Sequence, residues 1–404
     1  MTTTTNNEHK KLNVPNLRFP EFQGEWEKNK LCDVSTIVGR IGFRGYTTQD
    51  IVDEGKGAIA LSPTNIVNNK LTYEKDNTYI SFHKFEESPE IMINQGDVIF
   101  VKTGSTVGKV AYVGELICKT TLNPQVVVLK NILCDNYLLS VIMSTQKFQN
   151  KIRKITVGGA VPTLSQVAMG KIFISLPKVE EQAKLSKFIA LFDERIATQN
   201  KIIEDLKKLK CAIIETEYNG KGHECRIGDI IEQTSLRNKN NLVKTVLSVN
   251  NKLGFINQEE QFEDRAVASE DTSNYKVVTK DDFAYNPARI NVGSIARLKS
   301  FNKGIVSPMY ICFKVTDGIV PEYLESYFTT NRFFKEMQKR LEGSVRLCLS
   351  FEGLCNIPIS IPCMDEQVEI GKRICQIENM IETEYNILSL YEKQKLYLLR
   401  QMLI

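Results

Sequence analysis

The chain has 404 residues, of which 42% are hydrophobic and 25% charged, with a formal net charge of +4. That length suits two domains of ordinary size. The composition excludes a disordered chain, and no apolar run of about 18 residues, the length a membrane helix needs, occurs. The near-balance of charge does not by itself point to a polyanionic partner.

The chain opens on MTTTTNNEHKK, polar and followed by no apolar stretch, so residues 1–12 are expected to be a flexible tail and not a signal peptide. Ten cysteines without a CxxC pair, and only three histidines, give no metal-ligand spacing. Cys348, Cys355 and Cys363 lie too far apart for a zinc ribbon, and His223 and Cys225 read as loop residues. Reduced thiols and a cytoplasmic location are the expectation.

Short alternating apolar runs then dominate up to Pro177. DVIFVKTGSTVGKVAYV (97–113) predicts strands from its period of two and its β-branched residues, with glycines at the turns. A helix is predicted over Asn136–Lys151. A strand, ISLP, ends at Pro177, and a long helix follows over 178–217. The same order returns. Strand-like runs include DFAYNPARINVGSIARL (282–298). A helix is predicted over Glu322–Arg340, ISIP ends at Pro362, and a second long helix covers 363–404. The domains read from this are 1–177, the helix 178–217, 218–362, and the helix 363–404.

The recurrence is a duplication with a constant offset of 185 residues. KIFISLP (Lys171–Pro177) falls on NIPISIP (Asn356–Pro362), Leu164-Ser165 on Leu349-Ser350, and Glu181-Gln182 on Glu366-Gln367. Asp97 falls on Asp282, and Val107-Gly108 on Val292-Gly293. In the first long helix Leu185, Ile189, Phe192, Ile196, Ile203 and Leu206 hold a heptad seam, interrupted at Gln199. In the second, Ile370, Ile374, Ile377, Ile381, Leu388 and Tyr391 do so, continued by Leu398 and Met402 and interrupted at Glu384 and Lys395. Two amphipathic helices each covering its own domain would need only about 8–20 residues. Pairing of the two helices as a coiled coil is therefore expected. Connectivity makes the pair antiparallel and returns the C-terminus to the first half. The predicted fold is α+β. Two β-rich modules stand in pseudo-two-fold arrangement, separated by two long antiparallel helices that each span roughly 50 Å. Such symmetry suits two DNA half-sites about one turn apart.

Catalytic signatures are absent. Gly104–Lys109 is one residue short of a phosphate loop, and Val110 stands where Ser or Thr would hold magnesium. Tyr285-Asn286-Pro287-Ala288 lacks the second proline and the aromatic residue of an adenine methyltransferase motif. Glu54-x-Lys56 alone reads as solvated surface, and no GxSxG or HExxH occurs.

These parts together resemble the specificity subunits of type I restriction–modification enzymes. The resemblance rests on VPNLRFPEFQGEWE (Val14–Glu27), on KIFISLP…EEQ paired with NIPISIP…DEQ, on the two long helices, and on LYEKQKLYLLRQML (Leu390–Leu403). It implies two target-recognition domains that each read half of a split, asymmetric site in double-stranded DNA. It implies helices that dock two modification subunits. Those subunits bring S-adenosylmethionine and methylate adenine, so no cofactor is expected in this chain. It also allows restriction subunits, which translocate and cut DNA, to join that core. A non-catalytic scaffold carrying duplicated protein- or carbohydrate-binding modules on a helical rod is the alternative, with an enzyme of unrecognised site behind it.

RIGFRGYTTQDIVDEGKGAIALSPTNI finds no counterpart in SLRNKNNLVKTVLSVNNKLGFINQ, as two readers of different half-sites would require. Base edges and phosphates call for Arg, Lys, Asn, Gln and hydroxyl donors. In the first half these are Arg40, Arg44, Tyr46, Thr47 and Gln49 on one loop and Lys102, Ser105, Thr106 and Lys109 on another. In the second they are Arg237, Asn238, Lys239, Asn240 and Asn241, then Asn286, Arg289 and Asn291.

Overall fold

A computed structural model describes residues 12–74, 77–219, 222–251, 253–258, 271–343 and 346–404. Residues 1–11 of the expected tail lie outside the described residues. No described helix is long and apolar enough to cross a membrane. The chain divides into two compact units. The first takes the residues up to Thr198 together with Leu388–Ile404, and the second takes Gln199–Ile387.

In the first unit the strands Thr36–Gly39, Val126–Lys130, Val98–Val101 and Val110–Tyr112 lie side by side in one sheet. The run Val98–Val101 is wholly buried, not half-buried as simple alternation would suggest. Val98 and Phe100 face one core with Leu138, Met143 and Phe148. Ile99 and Val101 face another with Ile59, Leu61 and Ile91. Each such side chain contributes about 1.5–3 kcal/mol on burial, so β-branched residues suit both faces of this strand. A second sheet pairs Thr120–Leu122 with Ala58–Leu61 in parallel. A two-stranded ribbon, Glu27–Lys30 with Phe173–Leu176, leads to the long helix.

The second unit repeats this frame. Ile231–Thr234, Ile311–Val315, Phe283–Tyr285 and Ile295–Arg297 are ordered as their counterparts are. Val246–Asn250 pairs in parallel with Lys303–Val306. The ribbon is His223–Arg226 with Pro358–Ile361, so His223 and Cys225 lie on a strand and not in a loop.

Each predicted short helix is in fact two. Asn136–Ser144 and Gln146–Ile155 break at Thr145, whose hydroxyl accepts from the Phe148 amide. Pro321–Tyr327 and Asn331–Gln338 break before Thr330, which accepts from Phe333. A threonine that satisfies an orphan amide starts a new helix and stops the old one.

The repeat extends to individual bonds. Gln182 accepts from the Asp135 amide at 2.8 Å and donates to the Pro177 carbonyl at 2.8 Å. Gln367 does the same to Val320 at 2.8 Å and Pro362 at 3.0 Å. Gly158 and Gly343 both hold positive φ, 104° and 116°, where a Cβ would strike the carbonyl of Val161 or Arg346. Ahead of the sheets the register differs. The pairs Glu27↔Leu176 and His223↔Ile361 make the offset 196 there (223 minus 27). The first unit thus carries 11 extra residues (196 minus 185) between its ribbon strand and Asp97.

The long helices are Val179–Glu217 and Met364–Met402, 39 residues each. Within the first unit they run antiparallel, with Asp193 bonded to Lys395 at 2.6 Å and Arg195 to Tyr391 at 3.0 Å. Within the second, Lys210 meets Glu378 at 2.6 Å and Glu217 meets Arg373 at 2.8 Å. Leu185, Ile189, Ile203, Ile370, Ile374, Ile377 and Leu388 are buried. Phe192, Ile196, Leu206, Ile381 and Tyr391 are half-buried. The end of the second helix closes the first unit. Met402 and Leu403 enter its core, and the Leu17 amide donates to the Gln401 carbonyl at 3.0 Å. The opening segment is fixed there too. Arg18 makes two 2.7 Å bonds to the buried Glu181 carboxylate, which also accepts from the Trp26 indole at 3.3 Å.

Candidate nucleic-acid interface

In the first unit both candidate loops meet the segment Thr121–Gln125. Arg40 reaches it from one side and Lys102 from the other. The Arg40 side chain does not point to solvent. It is 5% exposed and donates to the Leu122 carbonyl at 2.8 Å, the Arg44 carbonyl at 3.1 Å and Thr121 Oγ1 at 3.1 Å. Its guanidinium lies 5.5 Å from the Tyr46 ring centre. Burial pulls this guanidinium below its ordinary pKa, with Tyr46 and Glu90 opposing. Burial likewise pushes the Tyr46 hydroxyl up. Arg40 therefore shapes the loop, which corrects the expectation that it reads DNA directly. Arg44 lies half-buried 3.5 Å from Glu90. Gln49 is exposed on the short helix Thr48–Asp50, which Thr47 caps.

The second loop is a tight turn between two core strands. Gly104 and Gly108 hold φ of 107° and 102°, and the Val107 amide closes on the Gly104 carbonyl at 3.1 Å. Lys102 and Thr106 are half-buried and Ser105 is exposed at the tip. Lys109 turns back, donating to the Ile66 carbonyl at 3.1 Å, so its amine is partly committed.

Sequence reasoning missed two neighbours of this turn. The first is Asn123 with Gln125, whose carbonyl accepts from Lys102 at 2.9 Å. Their side chains bond each other at 3.3 Å, and Gln125 is exposed. The second is the loop 157–163. The Gly104 amide donates to the Pro162 carbonyl at 2.9 Å, and the Leu164 amide to the Lys102 carbonyl at 2.8 Å. Val157 and Val161 stand 75% and 60% exposed on it. Gly158 falling on Gly343 at the repeat offset was the signal available.

In the second unit the same construction holds Asn286, Arg289 and Asn291. The Leu349 amide donates to the Pro287 carbonyl at 3.1 Å, the counterpart of the Leu164 bond. Arg289 and Asn291 are exposed, and Asn286 is half-buried beside the Met309 sulfur at 3.7 Å. The polar run splits by role. Asn238 is buried and bonds Val243 through both its amide nitrogen and its oxygen, at 2.9 and 3.1 Å, which folds the turn. Asn241 holds φ of 50° and accepts from Thr272 at 2.9 Å. Arg237 donates to the Asn274 carbonyl at 2.8 Å, while Lys239 and Asn240 are exposed at the tip. Among the described residues no group of three His, Cys, Asp or Glu side chains is placed to hold a metal ion.

Each unit thus offers exposed donors on rigid, glycine-shaped turns, a form suited to base edges and phosphates. Comparison with known proteins shows the family. Residues 23–208 and 221–390 each match the family described as Type I restriction modification DNA specificity domain. Over 94% of this chain and 91% of the relative, the sequence is 24% identical to the type I restriction enzyme MjaVIII specificity subunit of Methanocaldococcus jannaschii. The putative MjaX specificity subunit of the same organism is also 24% identical, over 96% and 95%. The fold is similar to that of a type I restriction–modification S subunit from M. genitalium, with a TM-score of 0.57 and 15% identity over 97% and 99% of the two chains. A chain from a structural study of complex assembly in a type I restriction–modification system gives a TM-score of 0.53 at 14% identity, over 93% and 96%.

Proposed function

The chain belongs to the type I restriction–modification DNA specificity family, and from that premise we propose that each of its two units reads one half of a split, asymmetric target in double-stranded DNA. The long helices, in this reading, dock two modification subunits. Those subunits hold S-adenosylmethionine and methylate adenine, so this chain supplies recognition and no catalysis. Restriction subunits join the same core. The reader residues are Arg44, Tyr46, Gln49, Lys102, Ser105 and Thr106 in the first unit, with Lys109 beside them. In the second they are Arg237, Lys239, Asn240, Asn286, Arg289 and Asn291.

One observation carries this reading. The two units share their frame down to single bonds, such as Gln182 to Pro177 and Gln367 to Pro362. The loops set on that frame differ in length and in side chains. A duplicated frame with unlike contents suits one chemistry applied to two different sequences. A scaffold binding one protein or carbohydrate twice would not need unlike loops.

Methylome sequencing of a host expressing this chain with its modification subunit tests the proposal. A single split motif methylated at adenine is expected. Replacing residues 218–362 with those of another specificity subunit should change one half of the motif and leave the other. Change in both halves, or in neither, rejects the assignment of one reader per unit.

A further inference from the structure

From Asn136 to Val179 the first unit contains no Asp or Glu but six Lys and Arg; the counterpart stretch in the second, 321–364, holds five of each sign. Part of that excess lies on one face. Lys147, Lys151 and Lys154 are spaced four and three apart on the helix Gln146–Ile155, and all three are exposed. Their neighbours Lys28 and Lys30 project from the ribbon strand that pairs with Phe173–Leu176. Lys151 donates to the Phe173 carbonyl at 2.6 Å, and Lys30 lies 5.9 Å from the Phe173 ring centre. Partial burial first, then the ammonium groups of Lys147 and Lys28, lowers the Lys151 pKa. Among the described residues none of these five ammonium groups has a carboxylate partner.

The second unit is an internal control at three of these positions, while the other two stay basic, as Arg226 for Lys30 and Lys339 for Lys154. Glu224 replaces Lys28, Arg332 replaces Lys147 and Glu336 replaces Lys151. These close the charge locally. Arg332 bonds Glu224 at 2.8 Å and Ser360 at 2.9 Å, while Glu336 pairs with Lys339 at 2.5 Å and Arg340 at 2.7 Å. The frame therefore has no structural need for unpaired lysines. Crowded like charges cost stability in solution, and such a surface is explained by an anion that covers it.

We infer that this lysine face of the first unit, which carboxylates neutralise in the second, grips the phosphate backbone of DNA beside the half-site that the first unit reads. The inference rests on the proposed function. The opposite side of the same helix carries Gln149, which donates to the Gly108 carbonyl of the reading turn at 2.8 Å. The helix runs on through exposed Lys154 toward the loop 157–163 that brackets that turn. A duplex held at the turn has its backbone nearby, and phosphate contacts position without specifying sequence.

The test uses the full chain assembled with its modification subunits. The triple variant K28E/K147R/K151E copies the second unit's own residues into the first, so the frame is known to accept them; K28Q/K147Q/K151Q is the neutral companion. Affinity for a duplex carrying the target is measured from about 50 to 200 mM salt. Each lost phosphate contact reduces the slope of log affinity against log salt by about 0.9. The neutral variant should lower the slope by about 2 to 3 and K28E/K147R/K151E, which keeps a cation at position 147, by about 2, with both halves of the methylated motif unchanged. An unchanged slope and affinity overturns the inference. So does loss of assembly with the modification subunits at intact DNA affinity, which would make the partner a protein. If the unaltered complex shows no sequence-specific, salt-dependent DNA binding, the proposed function itself fails, and that result is visible before any variant is made.

Discussion

Gln199 donates its side-chain amide to the backbone carbonyl of Glu384 at 3.2 Å and also to the Glu384 carboxylate, and the two residues are counterparts in the repeat, 185 positions apart. Each is a polar residue that interrupts the apolar seam of its own helix. In an antiparallel pair made from duplicated helices, one level brings a residue against its own counterpart, and this bond marks it. Gln199 is only 7% exposed, so the polar pair sets register at some expense of stability. Gln199→Leu should lower stability by about 1–3 kcal/mol, because it strips a half-buried carboxylate of its donor. The double variant Q199L/E384L should regain most of that loss, since both partners are then apolar. Denaturant midpoints of the four chains give the coupling. A neutral single variant would mean that the bond contributes nothing.

The same exchange relates two ion pairs. Asp193 with Lys395 in the first unit and Glu378 with Lys210 in the second are one interaction repeated with the helices interchanged. Asp193 also accepts from the Tyr137 hydroxyl and lies 3.6 Å from Lys70, so it ties the helix pair to the recognition module. Burial pushes the Asp193 carboxyl up, but bonds from Lys395 and Tyr137 and the charge of Lys70 outweigh it and leave the pKa below its ordinary value. A depressed folded-state pKa stabilises the fold above the unfolded value, near 3.9, and that gain is lost as pH falls through the folded value. Asp193→Asn should therefore cost about 2 kcal/mol at pH 7. The gap from the unaltered chain should narrow as pH falls below about 4. Urea unfolding at pH 7 and at pH 3 measures both. A gap that stays constant would assign the loss to packing and not to charge.

A knob and its hole change sides between the units. In the first, Cys32 fills the space beside Gly170, where a Cβ would come within 3.1 Å of the Cys32 Cβ. In the second, Gly228 leaves room for Cys355, and a Cβ there would stand 2.8 Å from the Cys355 Cβ. Gly228→Cys alone should overpack this contact by about 1–3 kcal/mol. The double variant G228C/C355G rebuilds the first unit's arrangement and should recover most of the loss. Melting temperatures of the single and double variants decide it, and additive losses would refute the exchange.

The long helices and their entry strands were legible because heptad spacing and the prolines after ISLP and ISIP act locally. The parallel pairing of Ala58–Leu61 with Thr120–Leu122 was not, since it joins segments far apart in sequence. The offset also changes from 196 to 185 between the ribbon strand and Asp97. A comparison at one offset therefore found no counterpart for the first loop, although the surrounding strands are equivalent. Val157–Thr163 escaped because Val, Gly, Ala and Pro carry no donor chemistry. Its position beside the Gly104 turn comes from backbone bonds that composition does not encode.

Arginines 40 and 289 separate shape from reading. Residue type and loop position mark both for DNA contact, yet one is buried on carbonyls and the other is exposed on a short helical turn beside Asn291. Arg289→Ala should leave the melting temperature nearly unchanged. It should relax or weaken recognition at one base pair of the second half-site, by about 1–3 kcal/mol if the contact is bidentate. Arg40→Ala should do the reverse in kind. It leaves the Leu122 carbonyl without its donor and releases the loop carrying Tyr46, so the melting temperature falls and recognition across the whole first half-site weakens. Binding to a panel of single-base variants of the target, with melting curves alongside, separates the two. A single-base effect from Arg40→Ala at unchanged stability would restore it to the reading surface. No change of any kind from Arg289→Ala would remove Arg289 from that surface.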